Sequence, residues 1–326
     1  MGIPFLKSSS PAQFTEPRSV DSRVLLVSDL RRGAACFALP LVAASLVRLA
    51  LERQYWGGSY LAWLIFLPAY LVLQRQILRR PSPRRIRLAL LVNFVGIVAG
   101  YTLIGAALNS APGWRADAAF YRIDCMLFGR DPQQFLAPWR TPWLSTITML
   151  GYVSFVVFLI YVFLAEAFNL TRATGRLQLA LMSLYGIGYS NYILFPAAGP
   201  IFYHPALLDS GVQSSVSAYL DSWVGRCCSG VDTWPSLHAA VCSFVLIWTF
   251  RQHRVAFSLL VLPGAALLLG AVYFQFHYFI DVVAGCLLGA GCLLAALSSH
   301  RPAGRTELSA SREAPEALSV SSMTRS

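Results

Sequence analysis

The feature that most limits what this chain can fold into is a succession of long apolar stretches. Segments of about 15 to 25 residues rich in Leu, Ala and Val recur through most of its 326 residues. About 20 such residues make a helix able to cross the ~30 Å hydrocarbon core of a bilayer. The spans read from the pattern are 33–51, 59–77, 87–108, 142–165, 177–196, 236–250, 256–274 and 278–298. Composition agrees: 56% of residues are hydrophobic and 13% charged, where soluble domains carry roughly 25% charged residues. The expected fold is all-α, a polytopic membrane bundle of about eight transmembrane helices.

The formal net charge of +11 invites a nucleic-acid reading, but the basic residues occupy the gaps between apolar segments. That is where topology signals lie. With the N-terminus inside, alternate gaps hold 19 basic residues on the cytoplasmic side and 6 on the other. A missed or invented span would scramble this alternation, so the count supports eight spans as well as their orientation. Both termini are then cytoplasmic, and two long segments, 109–141 and 197–235, face outward. Their aromatic, mixed-charge character fits interfacial helices capping a site, or loops with aromatic anchors.

The seven cysteines show no C-x-x-C spacing, so neither a metal centre nor another cofactor is expected. Cys125, Cys227 and Cys228 fall in the outward segments, where a bridge from Cys125 to one of the pair is open.

Two short segments carry the chemistry. Asp232-Thr233-Trp234-Pro235-Ser236-Leu237-His238 enters the sixth span from outside. Asp or Thr suits a helix cap and Pro a first turn. Ser236 with the free N–H groups of that turn would then form an anion site beside His238. Phe276-His277-Tyr278-Phe279-Ile280-Asp281 opens the eighth span. Four residues apart on one helix face, Asp281 can hold one imidazole nitrogen of His277 and leave the other as nucleophile or base. Asp281 is the only acidic residue assigned inside the later spans, and an ionisable group there is a functional candidate.

Trp-Pro-Ser-Leu-His followed about 40 residues later by His-Tyr-Phe-Ile-Asp resembles the second and third motifs of the type 2 phosphatidic acid phosphatase superfamily. Leu237, Tyr278, the run Ile123 to Gly129 with Asp131-Pro132, and Tyr192 to Pro196 with Gly199-Pro200 look most like one branch. That branch holds the inositol phosphorylceramide synthases and their bacterial relatives. The resemblance implies a six-helix catalytic core over 85–298, with 33–84 adding two accessory helices and 1–32 and 299–326 forming cytoplasmic tails, the latter disordered. It also implies roles: His277 attacks phosphorus, Asp281 orients it, His238 protonates the leaving oxygen and Ser236 binds phosphate oxygens. The superfamily's first motif is missing, and Ala271 stands where the phosphatases have an arginine. Arg226, Asn191 and Tyr192 are the candidates to bind substrate in its place.

The resulting expectation is a lipid phosphotransferase working at the outer leaflet through a phosphohistidine. Its substrate would be a lipid phosphate or phospholipid, with a polyol such as inositol as candidate acceptor. A lipid phosphate phosphatase and a non-catalytic lipid-binding member are the alternatives. A bis-histidine haem protein is a further one, but it leaves Asp281 and Pro235-Ser236 without a role.

Overall fold

The computed structural model describes residues 20–51, 58–109, 115–203 and 213–298. Parts of the expected tails, including all of 299–326, and His204 lie outside them. Along the chain run α1 (Val20–Leu51), α2 (Gly58–Ile77), α3 (Pro83–Asn109), α4 (Asp117–Phe128) and α5 (Pro132–Leu136). They are followed by α6 (Pro142–Val153), α7 (Phe155–Phe168), α8 (Arg172–Leu194), α9 (Pro200–Tyr203) and α10 (Ser215–Cys227). The last three are α11 (Leu237–Gln252), α12 (Arg254–Tyr273) and α13 (Phe279–Ser298). The protein is a polytopic helical bundle, and among the described residues its only extended pairing is an isolated bridge between Ala197 and Asp232.

All eight apolar segments are helical, and six helical stretches are long and apolar enough to cross a membrane: α1, α2, α3, α6 with α7, α12 and α13. The other two, α8 and α11, lie inside the bundle. Ala180, Leu181, Met182 and Leu184 of α8, and Ala239 to Cys242 of α11, are buried against neighbouring helices. A helix covered by protein can carry polar side chains that a lipid-facing one cannot. Accordingly α8 buries Gln178, Tyr185, Tyr189, Ser190 and Tyr192.

Two boundaries depart from the sequence reading. The first helix begins at Val20, not 33. In its early turns Leu26, Val27 and Leu30 pack on Ile77, Leu78, Ile86 and Leu90, while Arg23, Arg31 and Arg32 are exposed. Arg31 Nη2 donates to the carbonyl of Leu78 at 2.7 Å, just past the end of α2. The fourth span continues to Phe168 and so takes in Glu166, a second buried acid in the later spans. Glu166 accepts from Gln178, whose Oε1 accepts from Asn93 at 2.8 Å. Asn93 Oδ1 in turn accepts from Tyr70 at 2.7 Å and Gln74 at 2.6 Å. This chain of polar groups ties α7, α8, α3 and α2 together in the interior.

Two features shape the end of the bundle that holds the histidines. The fourth span breaks at Ser154, whose Oγ donates to the carbonyl of Gly151 at 2.6 Å. The break sets Tyr152 and Phe155, on its two sides, against one imidazole. Helices α11 and α13 also approach so closely that a Cβ on Gly285 would lie 2.1 Å from the carbonyl oxygen of Ser236. One on Gly289 would lie 2.0 Å from that of Ala240. Small residues four apart are what let two membrane helices come into backbone contact.

Candidate active site

The entry to α11 is capped by Ser236, whose Oγ accepts from the N–H of Ala239 at 3.3 Å. Pro235, after a cis peptide bond from Trp234, precedes the helix. This corrects the expected cap at Asp232 or Thr233. The N–H of Ser236 donates to the carbonyl of Asp281 at 3.1 Å. Ser236 is fully buried, and its N–H and that of Ala239 are bonded within the protein.

His238, one residue into the helix, is enclosed by aromatics. The ring of Tyr152 stacks on it at 4.6 Å, Phe155 lies at 4.4 Å, and Tyr152 Oη is 3.4 Å from Nδ1. His277 lies in the turn between α12 and α13 instead of on the helix itself. Its N–H donates to the carbonyl of Ala271 at 3.0 Å. Its Nδ1 donates to the carbonyl of Thr233 at 3.1 Å, and Asp281 Oδ2 is 3.8 Å from the same nitrogen. The carboxylate also caps α13 by accepting from the N–H of Tyr278 at 3.0 Å. A carbonyl oxygen only accepts, so Nδ1 bears the proton and Nε2 of the neutral ring presents a lone pair. Nε2 faces His238 Nδ1 at 3.4 Å.

Two carboxylates from α4 hold this arrangement from above. Asp124 accepts from the N–H groups of Phe279 at 2.6 Å and Ile280 at 3.0 Å, saturating the start of α13. Burial pushes its carboxyl above the usual range, while those two N–H groups pull it back down. Asp117 accepts from the N–H groups of Ala198 and Gly199 and from Tyr278 Oη, the last at 3.0 Å. Gly199 has φ +94°, and a Cβ there would lie 2.5 Å from the carbonyl of Phe276. Of the two readings of the outward segment 109–141, helices over the site is the one found.

The histidines border a cavity of about 250 Å³. Of the candidate substrate residues, Tyr192 lines it, but Ser236, Asn191 and Arg226 do not. Asn191 bonds back to its own helix at Ile187, at 2.9 Å, and Arg226 is exposed and bonded to Ser222 at 2.8 Å. Ala271 is completely buried, and its carbonyl accepts from the N–H of His277. The wall includes Tyr101, Tyr152 and Asp232, which the sequence reading did not single out for substrate. No lysine or arginine lines it among the described residues.

All seven cysteines are free, so Cys125 makes no bridge to Cys227 or Cys228. Burial, with the Asp232 carboxylate adding to it, pushes the Cys228 thiol up to about 12. Among the described residues no group of three or more His, Cys, Asp or Glu side chains is arranged to hold a metal.

This convergence of His238, His277 and Asp281 lies within a match to known proteins. A family model described as the PAP2 superfamily matches residues 119–295, more than half of the chain. The chain belongs to the PAP2 superfamily. It is an integral membrane protein, and its membership supports a lipid phosphate activity of the phosphatase or phosphotransferase type. Comparison with curated proteins and with solved structures returns no match. The PAP2 match begins inside α4 and ends near the close of α13, so it takes in the clamp of Asp124 as well as both histidines.

Proposed function

We propose that this PAP2 protein transfers a phospho-head group from a phospholipid to an alcohol through a phosphohistidine on His277. The observation that carries the reading is the 3.4 Å approach of His277 Nε2 to His238 Nδ1 at the wall of an aromatic cavity. In the first half-reaction Nε2 attacks phosphorus, the bond from phosphorus to the lipid oxygen breaks, and His238 gives that oxygen a proton. In the second the acceptor hydroxyl attacks phosphorus, its proton passes to His238, and the P–N bond breaks. His277 becomes cationic while phosphorylated. The Thr233 carbonyl and the buried Asp281 carboxylate, both at Nδ1, are placed to stabilise that charge.

The largely apolar wall favours transfer over hydrolysis, because a phosphohistidine kept from water awaits an alcohol. Kinship with the inositol phosphorylceramide synthase branch rests on the sequence resemblance of the Tyr192 to Pro200 and Ile123 to Pro132 segments. An inositol acceptor has no separate support. The positive-inside count supports an active site on the extracytoplasmic face.

The test uses purified protein in nanodiscs with phospholipid labelled at phosphorus, with and without lipid alcohols. Labelled transfer product that disappears in His277→Ala and His238→Ala is expected. Release of free phosphate or free phospho-head group alone, with no transfer to any alcohol, would overturn the transferase reading in favour of a hydrolase.

A further inference from the structure

The cavity poses an electrostatic problem for an ordinary anionic lipid. Among its described wall residues there is a carboxylate, Asp232, but no lysine or arginine. A phosphate brought into a largely apolar cavity needs a compensating charge, and a second anion beside it makes the need greater. Of the two histidines, His277 is neutral with Nδ1 on Thr233, and a proton carried by His238 is spent on the leaving oxygen.

Asp232 is held rigidly. Its backbone forms the bridge to Ala197, and the next residue, Thr233, donates to the Ala197 carbonyl through N at 3.3 Å and Oγ1 at 2.7 Å. Tyr101 Oη lies 2.5 Å from Asp232 Oδ2 and is itself fixed by the N–H of Ser229 at 3.0 Å. The same backbone stretch supplies the Thr233 carbonyl that orients His277, so the carboxylate sits one residue from the carbonyl that holds the nucleophile. Around them the cavity presents the rings of Tyr101, Tyr152, Tyr189, Tyr192 and Trp223. A carboxylate among aromatic faces is the environment that binds an ammonium ion.

We propose that Asp232 and the surrounding tyrosines form a subsite for an ammonium-bearing head group, so that the donor is a zwitterionic phosphodiester of the choline or ethanolamine class. This rests on the transferase reading above and names its substrate. The ammonium supplies the positive charge that the wall lacks: the donor enters neutral overall, its cation on Asp232 and its phosphorus towards His277. A head group of inositol type, which is anionic without an ammonium, leaves Asp232 facing a second negative charge.

Full-length protein in nanodiscs is assayed with phosphatidylcholine, phosphatidylethanolamine, phosphatidylinositol and phosphatidate of the same acyl chains, with a diacylglycerol analogue as acceptor. The expected result is a kcat/KM at least tenfold higher for a zwitterionic donor than for phosphatidylinositol. In Asp232→Asn that ratio falls at least tenfold, chiefly through KM, and Asp232→Glu recovers part of it. Thermal stabilisation of the wild-type chain by phosphocholine or phosphoethanolamine, and not by inositol phosphate, gives a readout that does not depend on a variant folding. Equal or better use of anionic donors overturns the proposal, as does an unchanged ratio in a folded Asp232→Asn, or stabilisation by inositol phosphate alone. His277-dependent transfer confined to anionic lipids sinks this inference and leaves the transferase intact. No transfer from any donor sinks both.

Discussion

His277 and His238 are chemically the same side chain placed in different bonding patterns. His277 has its Nδ1 proton engaged by the Thr233 carbonyl and its Nε2 exposed to the partner ring. His238 is sandwiched by Tyr152 and Phe155 with its Nδ1 towards that same Nε2. Asp281 acts at one remove, 3.8 Å from His277 Nδ1 and bonded to the Tyr278 N–H. Asp281→Asn keeps the shape and removes the negative charge. We expect kcat to fall roughly 100- to 1000-fold, the range for losing one electrostatic stabiliser, with KM nearly unchanged. Steady-state kinetics check this, and a change confined to KM would contradict it. The three residues of this constellation were legible because His, His and Asp are uncommon in apolar segments. The Thr233 carbonyl was not, since any residue type supplies a carbonyl. Arg226 and Asn191 were drawn in by their polarity alone, and the fold turns both away from the cavity.

At the scale of elements, the site depends on two helix relationships. The first is the clamp of α4 on α13, where Asp124 meets two N–H groups. Asp124→Ala leaves them unpaired, and loss of a helix cap costs about 0.5–2 kcal/mol. A lower melting temperature together with a lower kcat is expected, measured by thermal unfolding in detergent and by turnover. Unchanged values of both would show that the clamp is idle. The second is the contact of α11 with α13. Gly289→Leu drives a side chain into the Ala240 carbonyl, 2.0 Å from where its Cβ would sit, and should separate the two histidines. Crosslinking between cysteines placed on the two helices would report the separation as a lost product. Helix existence was readable from apolar length. The interior position of α8 and α11 was not, because burial under other helices leaves no period or charge signature in the segment itself. The early start of α1 was hidden because Arg23, Asp29, Arg31 and Arg32 interrupt the apolar run from which Leu26, Val27 and Leu30 are buried.

At the scale of the whole molecule, both histidines stand at one end of the bundle, and we propose from the charge count that this end faces outside. The native cysteines offer a check without engineering a new one. Cys227 is exposed, whereas the neighbouring Cys228 thiol, pushed up to about 12, stays protonated at neutral pH and so unreactive. In a Cys125→Ser background, which removes the other free thiol of these segments, an impermeant maleimide applied to intact cells at pH 7.5 should label the protein, with Cys227→Ser losing that label and Cys228→Ser keeping it. Labelling of Cys227 only after permeabilisation would invert the topology and move the chemistry to the cytoplasmic face. The account as a whole turns on covalent chemistry at one nitrogen. Protein mixed with phospholipid labelled at phosphorus and quenched in alkali within one turnover should carry an alkali-stable, acid-labile label on the peptide containing His277. Absence of that label while transfer product accumulates at the wild-type rate would contradict it.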